Sequence, residues 1–194
     1  MGDAAERRFM SEQEYLRFER SAEVRHEYAG GEVFAMAGGT RAHSLIAGNT
    51  NRELSSALLD RPCEVHGADM RIKIAATGRY TYAAVAVVCG RPRFEDEQRD
   101  TLLNPNVIVE VLSDSTERYD RGEKFAQYRS ILSLVDYVLV SQRALLVEHF
   151  TRRDDGLWLF RALGPGERLS LPSIGCEIEV DRLYLKVFDE LPAG

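Results

Sequence analysis

The sequence predicts an α/β fold in which helices flank a mixed, curved central sheet, and three patterns support this prediction. From Arg41 to about Leu59, apolar residues recur with the period of an amphipathic helix. Two valine-rich runs, Tyr80 to Cys89 and Val107 to Leu112, are typical of central strands covered on both faces. Apolar and basic residues alternate over residues 70–74, which indicates a strand with one buried face. Helix and strand signals that alternate in this way favour layered α/β packing.

The N-terminal third predicts a helix, a hairpin and a second helix. Ser11 and Glu14 have the spacing of a capping box, which predicts a helix that ends near Arg20. Residues 28–39 combine strand-forming side chains with two glycine pairs, and they predict a β-hairpin. The amphipathic helix from Arg41 follows it.

The C-terminal half predicts a loop, a helix, three further strands and a terminal helix. Residues 90–104 are charged and rich in turn-forming residues, so we expect a loop there. Asp120 is placed to cap a helix that has Glu123 at its third position and that continues past Tyr128. The remaining predicted elements are three strands and a terminal helix, at residues 135–140, 144–151, 157–163 and 181–187.

Length and composition exclude several classes of protein. The 194 residues are 44% hydrophobic and 29% charged, which predicts one globular domain over residues 1–194 rather than a disordered or fibrous chain. The longest apolar run, Tyr82 to Cys89, is far shorter than the ~20 residues of a membrane-spanning helix. The N-terminus has no apolar segment behind its charges, so we expect no signal peptide. The net charge of −6 argues against a protein that coats nucleic acid by bulk electrostatics.

Cysteine usage indicates a reducing compartment. Cys63, Cys89 and Cys176 are far apart, odd in number and never spaced as C-x-x-C. We therefore expect neither a zinc site nor a disulfide framework, and we expect a cytoplasmic location.

Glu110 is the residue that points most directly to chemistry. It lies inside the apolar run Val107 to Leu112, where an ionised carboxylate costs several kcal/mol to bury unless it is paired or binds a cation. A metal ligand is one explanation. The alternatives are a glutamate that emerges at the end of its strand, or one that pairs with Arg118 or Arg121.

The residues around Glu110 resemble a known family. The segments that carry the resemblance are Asn104 to Ser113, Ser115 to Phe125, Tyr128-Arg129, Arg25 to Tyr28, Gly31 to Val33, His43, and Tyr80 to Tyr82. They are similar to the Uma-type restriction endonuclease family of the PD-(D/E)XK nuclease superfamily, over roughly residues 10–190. The resemblance implies a restriction-endonuclease-like fold and hydrolysis of DNA phosphodiesters. It also implies DNA as a partner and a homodimer as the assembly.

The resemblance also implies a metal site. In that superfamily two carboxylates from adjacent strands hold Mg²⁺ or Mn²⁺, and a lysine near the attacking water completes the site. By this resemblance Glu110 is the second carboxylate, the carbonyl of Val111 supplies another oxygen, and Lys124 is the lysine. Tyr128, one turn later, is expected near the phosphate. Glu32 and His43 are expected to support the site.

The sequence departs from the family at the first carboxylate. Where the family carries a proline-aspartate pair, this chain has Ala83 and Ala84, so Ala84 occupies the metal-binding aspartate position. Asp69 is a candidate helper, but Mg²⁺ usually binds through one or two carboxylates and the loss of one should weaken it severely. An engineered inactivating double substitution is the explanation we favour. The alternative is a natural, non-catalytic module that binds nucleic acid or protein on the same fold.

A basic cluster is the candidate surface for the DNA backbone. Its members follow Glu110 closely in sequence and are Arg118, Arg121, Lys124 and Arg129. Acidic residues are interleaved with them, so a salt-bridged helix surface is the alternative.

Overall fold

A computed structural model describes residues 9–36, 38–113 and 116–188 of the protein. Its strands, in chain order, are β1 (His26–Ala29), β2 (Glu32–Ala35), β3 (Cys63–Gly67), β4 (Arg71–Ile74), β5 (Arg79–Tyr82), β6 (Val85–Cys89), β7 (Thr101–Leu102), β8 (Val107–Leu112), β9 (Asp136–Ser141), β10 (Val147–Arg152), β11 (Trp158–Leu163), β12 (Arg168–Leu171) and β13 (Cys176–Glu179). The helices are α1 (Glu12–Glu19), α2 (Arg41–Ala57), α3 (Glu117–Tyr119), a π-helical segment (Asp120–Lys124), α4 (Phe125–Tyr128) and α5 (Val180–Leu183).

Two mixed sheets organise the fold. The larger has the strand order β11-β10-β9-β8-β6-β3, and the smaller has the order β2-β1-β5-β4-β7. In the larger sheet β8 lies antiparallel to β6 and parallel to β9. The remaining two strands, β12 and β13, form a hairpin. The predicted α/β class with a mixed central sheet is confirmed.

The core lies on both faces of β8, as its uninterrupted apolar run predicts. Val107, Val109 and Val111 belong to an apolar cluster that includes residues of α2 and α5, which we call the first cluster. Ile108 and Leu112 belong to a second cluster that includes Tyr128 of α4. The alternation along β8 assigns each residue to one of two covered faces.

The N-terminal elements form as the local signals predict. Ser11 caps α1 in a capping box with Glu14, and the helix ends one residue before Arg20. The glycine turn at residues 30–31 joins β1 to β2, and both glycines have positive φ, which side chains disfavour. Thr40 caps α2 through its side chain.

One predicted strand is two strands that belong to different sheets. The run Tyr80 to Cys89 was expected to be a single central strand, but β5 lies in the smaller sheet and β6 in the larger. Ala83 and Ala84 make the crossing, and they pack in the second and first clusters respectively. Both halves of the run are buried, so the apolar pattern carries no signal for the change of sheet.

The sequence did not predict several short elements. β3, β7, β12 and β13 each have two to five residues, too few for a periodic pattern to stand out. The predicted terminal helix at 181–187 is only the four-residue α5, which is followed by turns. The helix expected to start at Asp120 starts at Glu117 instead, because Asp120 turns its carboxylate inward and does not cap.

The expectation of no disulfide was wrong. Cys63 and Cys89 lie opposite each other on antiparallel β3 and β6, and they form a disulfide that closes a loop of sequence separation 26. Cysteines that are distant in sequence became neighbours through strand pairing, which spacing alone does not reveal. Cys176 is free and buried.

The disulfide should contribute measurably to stability. A loop of this size corresponds to about 3–4 kcal/mol of chain entropy in the unfolded state, and thus to a fall in Tm of roughly 10 °C on reduction. Thermal unfolding with and without reductant measures this. The Cys63→Ser/Cys89→Ser variant is the control, because its Tm should match the reduced chain and ignore reductant. An unchanged Tm on full reduction would contradict this assignment.

No helix in the described ranges is long and apolar enough to cross a membrane.

Candidate functional site

Glu110 lies in the middle of β8, between β6 and β9, and its side chain is only 8% exposed. Two groups contact its Oε1 atom. The Lys124 ammonium lies 2.9 Å from it, and the Tyr128 hydroxyl donates a hydrogen bond of 2.9 Å. The buried carboxylate is therefore paired, and three of the four residues that the sequence singled out as catalytic meet at this point.

Lys124 is the centre of the cluster. Its ammonium donates to the Tyr82 carbonyl at 3.1 Å and lies 3.4 Å from Glu27 Oε1. Asp120 Oδ1 is 3.8 Å away. Three carboxylates and one carbonyl thus surround one ammonium whose side chain is 6% exposed. We call Glu27, Glu110, Asp120, Lys124 and Tyr128 the lysine cluster.

The helix after β8 brings these groups together. The π-helical segment Asp120–Lys124 sits between α3 and α4, and it buries both of its end residues. Asp120 and Lys124 are four residues apart and share one face, and Tyr128 follows one turn later. π-Segments inside helices are frequent at functional sites.

Glu27 is the residue of the cluster to which sequence reasoning gave no role. It lies on β1 of the smaller sheet, accepts a hydrogen bond from Thr81, and lies 3.5 Å from the Tyr119 hydroxyl. Only the pairing of β1 with β5 brings it to Lys124. A signal existed, because Glu27 is an acidic residue within a segment that carries the family resemblance. Nothing local to β1 indicated which face it would occupy.

Burial and the charges within the lysine cluster shift the pKa values of its members. Burial raises the pKa of Glu110 to about 7; the nearby Lys124 ammonium opposes this and Asp120 adds to it. Burial disfavours charge on Lys124 too, but its carboxylate neighbours hold the Lys124 pKa well above its usual value. Burial also raises the pKa of Asp120 and of Tyr128. Lys124 therefore stays protonated at neutral pH.

Glu110 should titrate near neutrality. Its folded-state pKa lies above the unfolded value, so its contribution to stability is present below about pH 4.5 and is lost as the pH rises through about 7. We expect its side-chain ¹³C signal to show a midpoint near pH 7, with the Glu110→Gln variant assigning the signal. The free energy of unfolding should also fall more between pH 5 and 8 in the unchanged chain than in that variant. A midpoint near 4.5 would contradict this.

Ala84 lies close to Glu110 in the register of the larger sheet. Val85 pairs with Val109, so Ala84 immediately precedes the paired part of β6, next to the point where Glu110 lies on β8. Its methyl group packs in the first cluster, however, whereas Tyr128 belongs to the second. The side chain of Val111 also packs in the first cluster. The metal-ligand roles of positions 84 and 111 stay predictions.

The sequence named three residues that should support the site, and His43 among them interacts with members of the lysine cluster. His43 is close enough for the charges of Asp120 and Lys124 to act on it, and burial lowers its pKa. Asp69 lies in a turn, 87% exposed, and pairs with Arg25. Glu32 pairs across the hairpin with Ala29.

The basic cluster is not a single surface. Lys124 is buried, and Arg121 is engaged by Glu117 at 3.1 Å and by Glu148 at 3.0 Å. Arg118 and Arg129 are exposed and stay candidates for contact with DNA phosphates.

The donor set does not fit a tightly held divalent ion. Oxygens are the right ligands for Mg²⁺, but the ammonium of Lys124 already lies among them. Within the part of the chain that the structure describes, no three His, Cys, Asp or Glu side chains are arranged to hold a metal.

Comparison with known proteins identifies the family. Residues 12–183 match the sequence model of the family described as "Uma2: Putative restriction endonuclease". The chain belongs to the Uma2 family. One relative, the "Uncharacterized protein slr1290" of Synechocystis, is 38% identical over 175 residues and is aligned over 90% of this chain and 91% of its own length. A second, "Uncharacterized protein sll1609" of the same organism, is 36% identical over 150 residues, which are 77% of this chain and 85% of that protein.

A solved structure shows the same fold as this Uma2 chain. It is described as a "putative nuclease belonging to DUF820" from Anabaena variabilis, and it superposes with a TM-score of 0.74 over 92% of this chain and 99% of that one. The sequences are 14% identical, so the likeness concerns the fold. The expected restriction-endonuclease-like architecture is confirmed, and the Uma2 chain has a nuclease-like fold.

Proposed function

We propose that this chain is a metal-dependent DNA endonuclease domain whose metal site lacks its first carboxylate, so that the chain does not cleave DNA as it stands. The observation that carries the proposal is the buried contact of Glu110 with Lys124 and Tyr128. Metal-dependent hydrolysis of a phosphodiester needs carboxylates that hold a divalent ion and a nearby positive charge. A central-strand glutamate in contact with a lysine supplies one carboxylate and the positive charge, and a second carboxylate and the ion would complete the site.

The residues have distinct roles in this proposal. Glu110 and the Val111 carbonyl would supply oxygens for Mg²⁺ or Mn²⁺ once position 84, the missing ligand, carried a carboxylate. Lys124 stabilises charge near the attacking water, and Tyr128 holds Glu110 in place by its hydrogen bond. Without a carboxylate at position 84, the site of this chain would not hold such an ion firmly enough for it to supply an activated water.

The partners belong to the same proposal. DNA is the expected substrate, and Arg118 and Arg129, both exposed and close in sequence to the lysine cluster, are the candidates for contact with its phosphates. A homodimer is supported by β11, an edge strand of the larger sheet on which Leu159 is 42% and Phe160 50% exposed. A cytoplasmic location stays an expectation, and the disulfide between Cys63 and Cys89 argues against it.

The unchanged chain should show no chelator-sensitive cleavage of single-stranded or double-stranded DNA with Mg²⁺ or Mn²⁺. The measurement is a nuclease assay over a panel of substrates, with and without a chelator. Cleavage that a chelator abolishes and that Glu110→Ala removes would show that position 84 is not a needed ligand. DNA binding without cleavage, even after a carboxylate is returned to position 84, would favour the non-catalytic binding module.

A further inference from the structure

The oxygen shell around Lys124 has the dimensions of an ammonium site. Three acceptors lie within 3.4 Å of its nitrogen, at 2.9 Å on Glu110, 3.1 Å on the Tyr82 carbonyl and 3.4 Å on Glu27. An ammonium has three N–H donors, so the acceptors match the donors in number. Oxygens bound to Mg²⁺ lie at about 2.0–2.1 Å and those bound to Ca²⁺ at about 2.3–2.6 Å, so this shell is too wide for either ion.

The elements that hold these oxygens come from both sheets. Glu110 lies on β8 of the larger sheet, whereas Glu27 and Tyr82 lie on β1 and β5 of the smaller one. For these oxygens to come within bonding distance of a metal ion, the two sheets would have to move closer to each other, or the Lys124 side chain would have to move out of the site. This side chain is 6% exposed, and if it left, the buried Glu110 and Asp120 and the 16%-exposed Glu27 would lose their counter-charge.

We propose that the Lys124 ammonium is the resident cation of the lysine cluster and that it excludes divalent metal ions from the site in this chain. The inference rests on the proposed function only in taking Glu110 as the metal-ligand position. A carboxylate introduced at position 84 would then be needed for a divalent ion to compete with the Lys124 ammonium in this chain. In this chain a divalent ion does not displace the Lys124 ammonium, and Glu27 is the second carboxylate that contacts it.

The chain offers matched comparisons, because its sequence has only three lysines, Lys73, Lys124 and Lys186. Lys73 also lies between two carboxylates, at 2.8 Å from Glu12 and 2.7 Å from Glu95, but its side chain is 14% exposed. Lys186 is exposed.

The first test labels the unchanged chain. Competitive acetylation followed by mass spectrometry measures the reactivity of each lysine. We expect Lys124 to react at least about tenfold more slowly than Lys186, and millimolar Mn²⁺ to leave that ratio unchanged. A rise in Lys124 reactivity when Mn²⁺ is added would overturn the proposal, because it would show that the ion displaces the ammonium.

The second test opens the site with Lys124→Ala. Titration with Mn²⁺, followed by electron paramagnetic resonance, should show about one ion per chain, bound at least about tenfold more tightly than by the unchanged chain. Adding Glu27→Gln should reverse most of that gain, and Lys73→Ala should not produce it. A folded Lys124→Ala chain that binds Mn²⁺ no better than the unchanged chain would overturn the proposal, and so would an equal gain in Lys73→Ala. If circular dichroism shows Lys124→Ala unfolded, the labelling result decides.

Neither test involves DNA. Displacement of Lys124 by Mn²⁺ without cleavage would overturn this inference and leave the proposed function standing. Absence of cleavage in a chain with a restored carboxylate at position 84 would overturn the proposed function and leave this inference standing.

Discussion

The combined change Ala83→Pro and Ala84→Asp should give the chain metal-dependent cleavage of DNA. It adds a second carboxylate at position 84, immediately before the part of β6 that pairs with β8, and the proline is expected to restore the local backbone of the family motif at the crossing between the two sheets. With two carboxylates a divalent ion can be held and can lower the pKa of its bound water. We expect cleavage to rise at least about 100-fold above the unchanged chain and to depend on Mg²⁺ or Mn²⁺.

The controls separate the site from general effects on the fold. Adding Glu110→Ala to the restored chain should abolish cleavage, and a chelator should do the same. Adding Glu177→Ala, at an exposed position of β13, should leave cleavage intact. If the restored chain cleaved DNA equally well with Glu110→Ala added, the active site would not include Glu110.

The change Lys124→Met should cause the largest loss of stability among single substitutions in the lysine cluster. It leaves the buried Glu110 and Asp120, together with Glu27, whose side chain is 16% exposed, without a counter-charge. Breaking a buried ion pair typically costs about 3–5 kcal/mol, which corresponds to a fall in Tm of roughly 10 °C for a chain of this length. Denaturant and thermal unfolding measure the change.

Lys73→Met is the matched control for that prediction. It also removes a lysine from between two carboxylates, but these are 42% and 25% exposed and water can screen them. We expect a cost of about 1 kcal/mol or less. Adding Glu110→Gln to Lys124→Met should recover part of the lost stability, because one buried charge is removed. Equal losses in the two methionine variants would contradict a special role for the lysine cluster.

The sequence predicted the central strands well because their signal is local. Val107 to Leu112 is apolar throughout, and both of its faces are covered. The capping box at Ser11 and the amphipathic α2 are likewise set by neighbouring residues. The crossing at Ala83 and Ala84 was missed because burial is continuous through it and only long-range pairing separates β5 from β6.

The candidate site was predictable to the extent that a carboxylate in a core strand needs an explanation. That argument found Glu110, and the family resemblance added Lys124 and Tyr128, which the structure brings to it. It could not find Glu27, because a glutamate on a short strand has no anomaly of its own until the two sheets meet. It also could not pair Cys63 with Cys89, since register decides that contact.

The central claim is that position 84 and Glu110 share one metal site in this fold. A crystal structure of the Ala83→Pro/Ala84→Asp chain soaked in Mn²⁺, with the anomalous signal of the metal, tests it most directly. The account predicts one strong peak in contact with both the Glu110 carboxylate and the carboxylate introduced at position 84, and no such peak when Glu110→Ala is added. A peak that contacts only one of the two positions, or that persists without Glu110, would contradict it.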